Sequence, residues 1–207
     1  MSHNLGGYPV DVPDATPRVL AVGSRVLAGS TIIFFCAFVF AYAYLKLLDT
    51  HGSWNRGHEV SIAYGSVVLA TALLSAIAYG AAIRQLRDDD TTGWQATAAI
   101  ALAGGLATVA LHVWQLDDLS FAPMHSGYTS VFVAWTVALV AVELGSAYWL
   151  FTLLRGSMRV AGVVAPEDDG SPARVAHLAA SARGYWLFLR VLVAVEILAF
   201  VLLVLVR

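Results

Sequence analysis

The 207-residue chain has one cysteine, Cys36, and one lysine, Lys46. A single Cys excludes an intrachain disulfide framework and any Cys-based zinc site. Charge is scarce as well. Twelve basic and 14 acidic residues leave a formal charge of -2, with no basic stripe, so no nucleic-acid partner is expected. The sequence has no CxxCH for haem attachment, no Gly-rich phosphate loop and no nucleophile–base arrangement. Apolar residues fill the chain instead: 59% is hydrophobic against 13% charged, gathered into long blocks. That distribution belongs to an integral membrane protein.

A bilayer core needs about 20 apolar residues as helix. Five blocks qualify, at roughly 20–47, 60–84, 93–115, 127–154 and 184–206. Backbone groups in lipid must be satisfied within each segment, so an all-α bundle of five transmembrane helices is predicted over residues 19–207. Residues 1–18 form a polar tail with Pro9, Pro13 and Pro17 and without the basic start of a signal peptide. Thr91 or Thr92 is expected to cap the third helix. The long stretch from Arg155 to Arg183 reads as a loop, with Gly and Pro in its middle.

Arg18, Arg84, Arg87, Arg155, Arg159, Arg174 and Arg183 fall on one side of the predicted topology. Lys46, Arg56 and Arg207 fall on the other. This bias predicts a cytoplasmic amino terminus and an external carboxyl terminus. Trp54, Trp94, Trp114, Trp149 and Trp186 sit near span ends, as interface anchors do, whereas Trp135 is deep enough to pack inside the bundle. Small residues recur at spacing four, as Ala72, Ala76 and Gly80 and as Ala99, Ala103 and Ala107, and are expected to let helices approach closely. The aromatics Phe34, Phe35, Phe38, Phe40, Tyr42 and Tyr44 read as packing and lipid contacts.

Intramembrane polar residues are costly and therefore mark candidate sites. Counted from the cytoplasmic ends, Glu143 and Arg190 differ in depth by only ~7 Å, within reach of a long Arg side chain. A Glu143–Arg190 pair is expected, fixing two antiparallel helices, with a proton relay as the alternative. Glu196 has no obvious cation. It either faces the interior as a neutral acid or faces a partner subunit. His112, near the external end of the third span, has no second His at ligand spacing on its helix. His125, Asp117 and Asp118 are its candidate companions in a metal site, with a hydrated interface cluster as the alternative. No catalytic or cofactor-binding residue is expected.

Four segments resemble a known family. "GSTIIFFCAFVFAYAYL", "YGSVVLATALLSAIAYGAAI", "GYTSVFVAWTVALVAVELGSAYWL" and "ARGYWLFLRVLVAVEILAFVLL" are similar, in this order, to helices of the short, five-helix bacterial cytochrome c oxidase subunit III. The frame consists of Ser30, Phe34, Phe35, Tyr128, Ser130, Phe132, Tyr185, Trp186 and Phe188. The polar signatures depart from the family. Its first-helix Glu falls on Thr31, and the end of its third-helix pattern falls on Trp114 and Gln115. Its two fourth-helix His fall on Leu139 and Val142, and its last-helix His and Asp on Leu187 and Arg190. The resemblance implies a non-catalytic accessory subunit in the plasma (inner) membrane of a bacterium. Such a subunit binds no haem or copper itself, holds structural phospholipid and packs on a catalytic haem-copper subunit of the respiratory chain. Accessory subunits of nitric oxide reductases or quinol oxidases are alternatives. A small proton-coupled transporter using Glu143, Arg190 and Glu196 is a reading from a different class.

Overall fold

The computed structural model describes residues 15–50, 52, 54, 60–160 and 172–206. It contains five α-helices: α1 (Ala15–Leu47), α2 (Ile62–Arg87), α3 (Thr91–Asp117), α4 (Gly127–Val160) and α5 (Pro172–Ala199). A π-helical turn, Phe200–Leu205, continues α5. All five α-helices are long and apolar enough to cross a membrane, so the chain is a multi-pass membrane protein. The expected tail lies outside the described residues except for its last four positions, which are already helical.

Local chemistry sets the helix ends. The α2–α3 link is three aspartates long, and Asp89 takes a left-handed φ of 58° that reverses the chain. Asp90, not the expected Thr91 or Thr92, caps α3: its carboxylate accepts from Gly93 N at 2.9 Å. An anion at a helix amino end also meets the positive end of the dipole. Ser126 and Thr129 cap α4 reciprocally, Thr129 N donating to Ser126 Oγ and Ser126 N to Thr129 Oγ1. The helix α5 starts twelve residues before the predicted 184, in the stretch read as loop. Its starting residue is Pro172, and proline is well suited to a first helical turn because its missing N–H would have no helical partner there.

The helices form a ring in the order α1, α5, α2, α3, α4 and back to α1, with α5 also packing on α4. Trp135 is fully buried, as expected. Trp54 and Trp94 are buried too, and therefore pack in the protein instead of lying at a lipid interface as their position suggested. Trp114 is exposed. Of the two small-residue stripes, Ala72 and Ala76 face inward, and a side chain at Gly80 would meet the Trp186 ring at 3.2 Å. The stripe of Ala99, Ala103 and Ala107 faces outward. The α3 surface that meets α2 is the neighbouring one. A Cβ at Gly104 would lie 3.0 Å from Ser75 Cβ and 3.3 Å from Ser75 Cα, and the Ser75 hydroxyl donates to Ala101 O at 2.7 Å.

Candidate functional site

One cluster of buried ionisable groups occupies the middle of the bundle among the described residues. It joins His112 of α3, Glu143 of α4 and Glu196 of α5. Their relative exposures are 5%, 6% and 4%. His112 Nε2 lies 3.1 Å from Glu196 Oε1 and 3.9 Å from Glu143 Oε1. One donor atom from each residue lies within 4.8 Å of the others. Two atoms of the cluster, His112 Nδ1 and Glu143 Oε2, are buried without a hydrogen-bond partner.

The helical period explains how each residue reaches this point. On α5, Leu189, Leu192, Val193 and Glu196 line one cavity together, following the i, i+3, i+4, i+7 rule for a helix face. On α3, Thr108, His112 and Gln115 are all buried and lie on one side. That polar stripe at helical spacing was visible in the sequence and is the signal that could have marked His112 as inward-facing. On α4, Ser146 follows Glu143 by about one turn and hydrogen-bonds the Tyr185 hydroxyl at 3.0 Å.

Two small cavities, each of about 30 Å³, flank the cluster. Glu143 and Glu196 line the first with Ser75, Thr108, Ser146 and Tyr185. His112 and Glu196 line the second with Gln115 and Thr136. Each has room for about one water molecule, which needs roughly 10–15 Å³ by this measure, and each has polar groups to hold it.

Several expectations are corrected. Glu143 does not pair with Arg190. Arg190 is exposed, its guanidinium 5.6 Å over the Trp186 ring, whereas Glu143 turns inward to His112. Six residues separate Arg190 from Glu196, so they point about 120° apart around α5, and only one can face the centre. Glu196 takes that position and faces the interior. His112 is not grouped with His125, Asp117 and Asp118, all three of which are exposed. His125 Nδ1 instead accepts from Ala122 N within its loop. Of the nine frame residues, Phe35, Tyr128, Phe132, Tyr185 and Phe188 are buried. Ser30 and Phe34 are exposed, and Ser130 and Trp186 are half-buried.

An imidazole beside two carboxylates in a poorly hydrated interior can share protons or hold a cation. In either state the cluster must approach neutrality, because an uncompensated buried charge is costly. No protein-family model matches this chain, and no curated protein matches it.

Proposed function

We propose that this protein is a non-catalytic, subunit III-like member of a haem-copper oxidase complex in a bacterial plasma membrane. It packs on the catalytic subunit that carries haem and copper. One observation carries this reading: five residues that bear the family resemblance, on three helices, are core residues. Phe35 packs on Trp135 with ring centroids 6.0 Å apart, Tyr128 on Phe132 at 6.0 Å, and Trp149 on both Tyr185 and Phe188 at 5.4 and 5.9 Å. A resemblance held in interior packing positions favours a shared fold over a coincidence of apolar composition. The lipid-holding part of the role has a fitting feature too. A groove of about 370 Å³ between α1 and α5 is lined by Arg18, Arg25 and Arg183, a setting for a phospholipid phosphate. Purification from the native membrane in mild detergent tests the reading. A haem-containing partner should co-purify, seen by its visible spectrum, and consistent isolation without one rejects the proposal.

A second reading, a proton-coupled membrane protein, is favoured by the cluster itself. The two small cavities flanking the cluster put room for water beside both carboxylates and the imidazole, the components a proton relay needs. In this reading Glu143 and Glu196 exchange protons with His112, and Arg190 has no part. Reconstitution of the chain alone in liposomes with an entrapped pH dye tests it. Proton flux should fall in Glu143→Gln and Glu196→Gln, and equal flux in wild type and both variants rejects the role.

A further inference from the structure

We propose that His112, Glu143 and Glu196 form a binding site for one divalent first-row transition-metal ion inside the helix bundle. The argument rests on the geometry of the cluster and does not depend on the oxidase reading.

Spacing comes first. Nitrogen and carboxylate oxygen ligands stand about 2.0–2.2 Å from such an ion, so two of them at a tetrahedral or octahedral centre stand roughly 3–3.6 Å apart. His112 Nε2 lies 3.1 Å from one carboxylate oxygen and 3.9 Å from the other. All three donors lie within 4.8 Å of one another, so drawing them onto one ion takes side-chain movements of up to about 1 Å. Three helices each supply one ligand, so the bundle holds the set together without any local sequence motif.

Charge points the same way. Two carboxylates and a neutral imidazole carry -2, which a divalent cation cancels. That matters at a depth where each residue is more than nine-tenths buried. Without a cation, the same balance requires added protons.

The unpartnered atoms supply an independent observation. Glu143 Oε2, the second oxygen of the carboxylate whose Oε1 faces His112, is buried with no hydrogen-bond donor from the protein, which leaves that carboxylate open to a cation or its water. Ligation through Nε2 leaves the proton of His112 on Nδ1, which is also unpartnered. The adjacent cavity, lined by His112, Gln115 and Thr136, has room for the water that would accept it. The two cavities together leave space for water in the remaining coordination positions. The site is thus an open one, with three protein ligands.

Donor chemistry narrows the ion. One imidazole nitrogen with two carboxylates suits Zn²⁺, Mn²⁺, Fe²⁺ or Co²⁺. Cu⁺ prefers sulfur, and none of the three residues offers it; Mg²⁺ and Ca²⁺ prefer oxygen alone.

The test uses the full-length chain without a polyhistidine tag, in lipid nanodiscs. The protein is stripped with a chelator and titrated with Zn²⁺ in one series and Co²⁺ in another. About one equivalent of either should bind, with Co²⁺ giving ligand-field bands of a site with nitrogen and oxygen donors. His112→Ala, Glu143→Gln and Glu196→Gln should each weaken binding by more than about 100-fold, since losing even an outer-shell partner costs 10–100-fold. His125→Ala should bind like wild type. Zn²⁺ should raise the melting temperature of wild type and leave the three cluster variants unmoved. Wild-type protein that is helical by circular dichroism yet binds neither ion is a cluster that holds protons only, and overturns the proposal. So does binding that survives all three substitutions. The wild-type stoichiometry decides even where a variant fails to fold.

Discussion

The bundle has two unlike cores, one on each side of the carboxylate–imidazole cluster. Toward the Lys46 end, the core is built of rings from α1 and α4: Phe35, Tyr42, Tyr128, Phe132 and Trp135, with Trp54 from the first loop. Toward the arginine-rich end, α2, α3 and α5 bring the small side chains Ala76, Ala82, Ala98, Ala101 and Ala182 around Tyr79, Trp94 and Tyr185, and α4 adds Leu150, Leu153 and Leu154. The first core is filled by side chains. Around the second, glycines admit close neighbours: Gly104 meets Ser75, including its backbone, and Gly80 meets the Trp186 ring. In lipid, association of helices gains little from the hydrophobic effect, because lipid tails are as apolar as Leu. Both cores therefore depend on contact itself, but they reach it by opposite routes. An aromatic core fails when a side chain is removed, and a small-residue core fails when one is enlarged.

Three substitutions test this contrast. Trp135→Ala should have the largest effect, about 3–5 kcal/mol lost, because a fully buried ring is replaced by a void. Unfolding in mixed detergent micelles measures it, and a loss below about 1 kcal/mol would mean that the aromatic half collapses around the gap. Gly104→Val should cost about 1–3 kcal/mol in the same assay, because the nearest obstacles belong to Ser75, including its Cα. Its damage should be confined to the α2–α3 contact, read as faster amide exchange there than around Tyr128. A neutral Gly104→Val would remove the distinction between the cores. Arg190→Leu should have the smallest effect, a stability indistinguishable from wild type, because an exposed guanidinium over Trp186 is all that is lost. A large loss would instead restore the buried Glu143 pairing.

The number of spans and the inward position of Trp135 were legible because both are read along one dimension: the length of an apolar block and depth within it. The meeting of His112 with Glu143 and Glu196 was not. It depends on which helices are neighbours and how far each is displaced along its axis. Sixteen residues separate Gly127 from Glu143, but only five separate His112 from Asp117. Depth counted from helix ends thus sets these two residues far apart, although they face each other. The same counting favoured Arg190 as the partner of Glu143 because it tracked height and ignored angle. Rotation about α5 decided the matter. Asp90 over Thr91 and the early start at Pro172 were end effects, which apolar pattern does not resolve.

The π-helical turn after Ala199 gives α5 two angular settings. Up to Glu196 the helix is phased so that its carboxylate faces the cluster. Beyond Ala199 each turn takes up about one residue more, and Val206 N reaches back to Val201 O at 2.9 Å. The tail then offers Leu203 O to the Tyr128 hydroxyl at 2.7 Å and Val206 O to Lys46 Nζ at 2.6 Å. The turn works as a gear change within a single rod. It lets the end of the helix be indexed to α4 and α1 while the carboxylate upstream keeps its own bearing.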